Sequence, residues 1–311
     1  MSDALQTPPT SFSQFDQTVK PQTPFQRFVS EFMESRLAVA GLVVFLIILF
    51  LAVFAPWISP QNPYDLMQLD IMNGKLAPGG QDTTGDITFW LGTDDQGRDL
   101  LSGIFYGLRI SLFVGVASAG GALLIGGAVG LFAAYAGGKW DTFLMRVVDI
   151  QLSFPAILIA LILLAVLGQG IDKIIFALVV TQWAYYARTV RGSALIERSK
   201  EYIEAAHCLA LGTRRIMFTH LLPNCLPPLI VVVTMRVAYA VMLEATLSFL
   251  GMGLPITEPS LGLLISNGFE YMLSGKYWIS FFPGLALLVT IVSINLVGDH
   301  LRDILNPRLQ K

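Results

Sequence analysis

Charge is scarce in this chain. Asp, Glu, Lys and Arg make up 14% of its 311 residues, hydrophobic residues make up 54%, and the mean hydropathy is +0.64. An average soluble domain is about 25% charged. The balance therefore excludes a disordered chain and an ordinary soluble domain, and it points to a polytopic membrane protein. A net charge of −2 lacks the basic excess of a nucleic-acid binder, so no nucleic acid is expected as a partner. Cysteine is nearly absent: Cys208 and Cys225 form no CxxC, which leaves free thiols in a reducing compartment rather than a disulfide framework.

Catalytic and nucleotide motifs are missing too. Gly138-Lys139 is followed by Trp140 and lacks the upstream glycine of GxxxxGK[ST], so the chain does not hold ATP in the P-loop manner. His207, His220 and His300 show no metal-ligand spacing. No Ser-His-Asp or Cys-His arrangement, HExxH or paired intramembrane aspartate suggests an enzyme. The chain up to Ser35 has no apolar h-region, so no cleavable signal peptide is expected and the first apolar span directs insertion.

Long uncharged runs are what the chain does have. Residues 1–35 read as a polar cytoplasmic tail, in which Phe25 to Arg36 can form an amphipathic helix along the membrane surface. Leu37 to Trp57, within a first unit at 36–57, suffices to cross about 30 Å of hydrocarbon, with Trp57 at the interface. An external segment at 58–108 carries Asp65, Asp70, Asp82, Asp86, Asp94, Asp95 and Asp99 among turn-forming residues. A core domain at 109–299 then supplies further spans near Ile110 to Tyr135, Leu152 to Leu167, Ile174 to Val190, Leu226 to Leu250 and Phe281 to Val297. Residues 300–311 form a second cytoplasmic tail. Gly126 and Gly130 make a GxxxG that lets a neighbouring helix pack backbone to backbone. A second external stretch, Gly251 to Ser280, has room for a short re-entrant or surface helix. The expected fold class is an all-α membrane protein with six spans.

With the N-terminus inside, fourteen of the twenty Lys and Arg residues lie in inner segments and five in outer ones, Arg236 falling within a span. That bias places both termini in the cytoplasm. It also puts inside the one long polar insert, Glu201 to Asn224 (EYIEAAHCLALGTRRIMFTHLLPN), within a loop at 192–225. Its first half can form a short helix with Tyr202, Ala205, Ala206 and Leu209 at i, i+3, i+4 and i+7. Glu201 and Glu204 near its start suit the helix dipole. Ala205 and Ala206 allow another surface to approach, Gly212 breaks the helix and Pro223 closes the segment.

Arg236 and Glu244 are the ionisable residues inside the fifth span. A charge at that depth normally faces protein or a water-filled cavity. Eight residues separate them, roughly 80° around a helix, so both can share one broad face. They read either as ion-paired with neighbouring helices or as the lining of a polar pathway, with Glu244 leaning to the structural role. Leu91 to Ser102 (LGTDDQGRDLLS) fails the EF-hand pattern, which needs glycine at position 6 and glutamate at position 12. It reads instead as a polar turn in which Asp94 or Asp99 caps the next helix.

Several of these stretches together resemble a known family. Glu204-Ala205-Ala206 with a glycine following and then Leu222-Pro223-Asn224 resembles the EAA loop of permease subunits in bacterial ATP-binding-cassette importers. LGTDDQGRD at Leu91 to Asp99 resembles a hallmark of the peptide and nickel branch. YARTVRG at Tyr186 to Gly192, LSFLGMG at Leu247 to Gly253, FPG at Phe282 to Gly284 and GDHLRDILNPR at Gly298 to Arg308 match further. The chain is most similar to the second, C-type permease of dipeptide and oligopeptide importers. It departs in having Ala210 where the loop usually has glycine and Leu261-Gly262 where a Trp-Gly pair is usual. The resemblance implies a type I importer permease fold in the cytoplasmic (inner) membrane, in contact with membrane lipid. It implies a homologous second permease, two cytoplasmic ATPases that bind ATP and Mg, and an external solute-binding protein. Glu201, Tyr202, Glu204, Ala205, Ala206, Leu209 and Gly212 would then couple to an ATPase; Arg236 and Glu244 stay the candidates for a pathway lining on their charge alone, and an acidic residue just before the LSFLG-type motif, as Glu244 is, is a common family feature. This subunit itself would be no enzyme and hold no cofactor. The alternatives are a nickel or metal-chelate permease of the same family, or a proton-driven carrier using Arg236 and Glu244 as its relay.

Overall fold

The computed structural model describes residues 23–83 and 85–305. Most of the first tail, the end of the last motif at Asn306-Pro307-Arg308, and Lys20, Arg308 and Lys311 of the charge count lie outside them. In chain order the helices are α1 (Pro24–Glu34), α2 (Arg36–Ile58), α3 (Leu100–Ala136), α4 (Gly138–Ser153), α5 (Ala156–Leu167), α6 (Ile171–Arg198), α7 (Glu201–Cys208), α8 (Thr213–Arg215), α9 (Leu222–Phe249), α10 (Leu261–Phe269) and α11 (Trp278–Leu305). A two-residue antiparallel hairpin, β1 (Gly80–Gln81) with β2 (Thr88–Phe89), sits in the segment between α2 and α3.

The amphipathic α1 starts from a capping box: the Thr23 hydroxyl accepts from the Gln26 amide and the Gln26 side chain accepts from the Thr23 amide. Its Phe32 ring meets the His300 imidazole edge-on at 5.2 Å, so His300 joins α1 to α11. α2 is apolar around its whole circumference, and many of its large side chains, such as Leu46, Phe50 and Val53, are exposed. That is the pattern of a lipid-facing helix.

By length and composition α2, α3, the continuous Thr213–Phe249 helix and α11 can each cross a membrane. The α4–α5 pair makes a fifth crossing if it counts as one broken span. The expected third span, Leu152 to Leu167, is divided: its first residues belong to α4, and the chain turns by 87° between α4 and α5. Pro155 lies at that break and cannot donate to a helix continuing through it. α6, at 28 residues, is about 42 Å long, but charges at both of its ends leave only Ile174 to Ala187 uncharged. The six expected spans fall within α2, α3, the α4–α5 pair, α6, α9 and α11, of which all but α6 are long and apolar enough to cross, the bent pair counting as one. α3 begins ten residues before the expected Ile110, because Asp99 accepts from the Ser102 amide at 2.9 Å and caps it. Asp94 does not cap α3. It organises the preceding turn by accepting from the amides of Gln96 and Arg98, each at 2.9 Å.

α3 and α6 form the most extensive helix pair. A Cβ on Gly126 would lie 2.1 Å from the Trp183 carbonyl, and one on Gly130 2.3 Å from the Ala187 carbonyl. The GxxxG is therefore what permits this backbone-to-backbone contact.

Candidate functional site

The polar insert folds as α7, a bend, α8, and a π-helical turn at Ile216–Leu221 that runs directly into α9. Pro223 does not close the segment as expected. It lies in the first turn of α9, where a missing amide is tolerated. Across the π turn the Leu222 amide bonds to Met217, and the Asn224 side chain caps the His220 carbonyl at 2.6 Å.

α7 presents two faces. Ile203 and Ala206 are buried with Leu131, Val190, Ala194, Ile216 and Leu221, fixing the helix to α3, α6 and the π turn. Glu201, Tyr202, Glu204, Ala205, His207, Cys208 and Leu209 are exposed. Of the expected apolar stripe, Tyr202, Ala205 and Leu209 therefore face outward while Ala206 belongs to the chain's own core. Ala206 can set the helix position but cannot itself be gripped.

The break differs from expectation as well. α7 ends in a Schellman motif: the Ala210 amide bonds to the His207 carbonyl at 2.9 Å and the Leu211 amide to the Ala206 carbonyl at 3.2 Å. The left-handed residue this motif requires is Ala210, with φ 51°. Gly212, with φ −61°, precedes α8 in an extended conformation open to any residue. The chain thus makes this bend at a residue with a Cβ, without the glycine that would make it strain-free.

Bracing beneath α7 comes from α6. Glu197 accepts from Lys200 at 2.7 Å and from the Tyr202 hydroxyl at 2.8 Å. Burial, and then the hydrogen bond to Glu197, pushes the Tyr202 hydroxyl up to about 12. Arg198 donates to the Ala134 carbonyl at the end of α3, 2.8 Å away. The two arginines of the YARTVRG stretch both tie α6 to α4: Arg191 forks onto Asp141 at 2.5 and 2.6 Å, and Arg188 pairs with Asp149.

The two charges of the fifth span part company. Glu244 is fully buried, accepts from the hydroxyls of Ser111 and Ser248 at 2.8 Å each, and is also bonded by Ser260. It joins α9 to α3 and to the start of α10 and lines neither of the cavities described below. Its three hydroxyl partners fit the structural role to which it leaned rather than a place in the lining of a pathway. Around it the backbones pack closely: a Cβ on Gly262 would sit 2.3 Å from the Ala245 carbonyl. In the Leu261-Gly262 pair, Leu261 is fully buried.

Arg236 faces open space. It lines a cavity of about 1120 Å³ bounded by α6, α9 and α11, and also a smaller one of about 240 Å³ reaching toward α5. Its guanidinium carbon lies 3.3 Å from the Tyr185 ring centroid and 5.3 Å from that of Tyr239. Both tyrosines line both cavities, so the three side chains form their common wall. Sequence reasoning missed both tyrosines. Tyr239, three residues beyond Arg236 on one helix, was within reach of a spacing argument; Tyr185, on α6, was not.

Residues 126–311 match the model of the binding-protein-dependent transport system inner membrane component, and residues 23–78 match the N-terminal TM domain of oligopeptide transport permease C. Over 302 residues, 97% of each chain, this protein is 39% identical to a putative peptide transport system permease protein of Brucella suis biovar 1. It is 40% identical to the dipeptide transport system permease protein DppC of Escherichia coli K12, covering 94% of this chain and 95% of that one. To the di/tripeptide transport system permease protein DppC of Pseudomonas aeruginosa it is 35% identical, with 93% of each chain covered. Among solved structures, the inward-facing MetNI methionine ABC transporter aligns at a TM-score of 0.53 and 23% identity over 66% of this chain and 95% of that chain. That likeness shows the fold.

Proposed function

Because the chain belongs to the binding-protein-dependent inner-membrane transport components, and within them to the C-type permeases of peptide ABC importers, we propose that α7 is its coupling helix and that peptides cross beside Arg236. The observation that carries this reading is the division of α7 into a buried face and an exposed one. Ile203 and Ala206 hold it to the subunit, while Glu201, Tyr202, Glu204, Ala205 and Leu209 are exposed on a helix too short to be a span, Tyr202 with its hydroxyl braced on Glu197. Gly212 completes the exposed turn beyond it.

Partners follow from the assembly such a subunit serves. A homologous second permease closes the pathway from the other side, a cytoplasmic ATPase grips α7, its twin grips the second permease, and an external binding protein delivers di- or oligopeptides. ATP and Mg belong to the ATPases. Both termini and the 192–225 loop are cytoplasmic, 58–108 is external, and 109–299 forms the core with six crossings in all. ATP binding draws the ATPases together and moves α7, and hydrolysis reverses the motion. This subunit contributes different contacts to the two states, which is the physical content of coupling.

Glu204→Arg tests the docking. Glu204 is exposed, so the variant should insert and accumulate normally while peptide uptake falls about tenfold or more, the scale of removing one interface charge and introducing its opposite. Undiminished uptake would refute the assignment. Orientation is tested separately with a membrane-impermeant maleimide. Cys208 is exposed and Cys225 buried, so labelling reports one position, and it should occur only from the inner side.

A further inference from the structure

Resting on that reading, we propose that Arg236 receives the free carboxylate of the peptide in transit, with Tyr185 and Tyr239 holding its guanidinium ready. Arg236 lies ten residues into the expected fifth span, about 15 Å along the helix, near the middle of the roughly 30 Å hydrocarbon layer. A cation at that depth is normally paired. Among the described residues it is neither ion-paired nor donating a hydrogen bond; the rings of Tyr185 and Tyr239 lie over it, and the buried Tyr186 hydroxyl, itself without a hydrogen-bond partner, is near enough to feel its charge. Glu197, the carboxylate lining the same cavity, is already held by Lys200 and Tyr202. It lies twelve residues along α6 from Tyr185, about 18 Å away.

Ring stacking engages the face of a guanidinium and leaves its N–H donors free in the plane. Those donors match a carboxylate in bidentate geometry. The terminal carboxylate is common to peptides of any sequence, so one fixed cation gives a sequence-independent contact. The apolar wall formed by Pro227, Val231, Val232 and Met235 tolerates varied side chains. At about 1120 Å³ the cavity exceeds the roughly 300–1,000 Å³ of small-molecule pockets. A half-exposed arginine in so open a space holds its ligand weakly, as passage requires.

The test uses the nucleotide-free importer in nanodiscs without its binding protein, probed by saturation-transfer NMR with dialanine and with dialanine amide. Dialanine should give a signal that R236Q lowers about tenfold, the loss of a charge-assisted contact, and that R236K lowers less, since lysine keeps the charge but loses the planar fork and the ring stacking. Dialanine amide should give a weak signal in all three proteins. Equal signals from acid and amide, or from the parent and R236Q, would overturn the proposal. So would reduced co-purification of the second permease with R236Q, since the arginine would then be pairing with that subunit. Failure of the parent complex to take up dialanine in vesicles with its binding protein would instead defeat the peptide-cargo reading itself.

Discussion

Two charges on one helix, eight residues apart, meet opposite treatment. Glu244 is enclosed and saturated, with three serine hydroxyls from three parts of the chain aimed at it. Arg236 is half-buried, open to a cavity, and attended by aromatic side chains with no ion pair or hydrogen bond of its own among the described residues. A buried polar group with all its partners is a joint, whereas one left without partners needs some other reason to be kept. Burial of charge alone therefore does not mark a pathway; the missing partner does.

The sharpest way to break this contrast is to remove the joint. Glu244→Ala would leave hydroxyls without an acceptor and a void beside α10. It should cost about 4 kcal/mol of stability in detergent melts, while Asp303→Ala on the exposed end of α11 stays within about 0.5 kcal/mol. Equal, negligible losses would show Glu244 to be no joint.

Asp94 tests the intermediate case of a buried acid that is only half satisfied. One of its oxygens accepts two amides and the other has no partner. Burial pushes it up from 3.8 to about 6, although the Arg98 amide and guanidinium pull the other way. Between those values the folded chain binds more protons than the unfolded one, so stability should fall as pH rises from about 4 to about 6, by about 2 kcal/mol in all. Asp94→Asn should remove that slope in melts across the same range; an unchanged slope would assign it to another group.

Smaller again is Ala210→Gly, which relieves the left-handed alanine and should stabilise the bend after α7 by about 1 kcal/mol, read as slower amide exchange at Ala210 and Leu211. The smallest expected change is in the stability of Arg236→Gln, under about 1 kcal/mol, because no ion pair is lost with it. A larger loss would make Arg236 a joint like Glu244 and erase the contrast.

Much of this was legible in the sequence because the signals were local. The uncharged runs located α2, α3, α9 and α11, Gly126 and Gly130 marked the α3–α6 contact, and the polar insert announced a short helix flanked by membrane segments. What escaped depended on distance or on a compromise in conformation. Ser111 lies 133 residues from Glu244 in sequence, so no spacing rule could reveal the serine cage. Gly212 looked like the helix breaker because glycine is the cheapest left-handed residue, yet the hydrogen bonds of the Schellman motif placed that conformation on Ala210. Pro223 looked like a stop because prolines usually are one, but the π turn before it shifts the bonding pattern and lets the helix run on. The α4–α5 bend was not anticipated: the uncharged run from Leu152 to Leu167 reads as one span, and Pro155 within it breaks the helix.

The uninterrupted path from Thr213 to Phe249 has a mechanical consequence. Pinned at Glu244, that rod is a lever with its fulcrum near one end. Counted along the helix, through its π turn and past Pro227 and Pro228, Thr213 next to α7 lies at most about 46 Å from the pin and Arg236 about 12 Å. A tilt of about 10° would sweep the α7 end through about 8 Å and shift the arginine by about 2 Å. A broad stroke at the handle would thus be geared down to a fine displacement at the carboxylate's perch, enough to make or break a hydrogen bond.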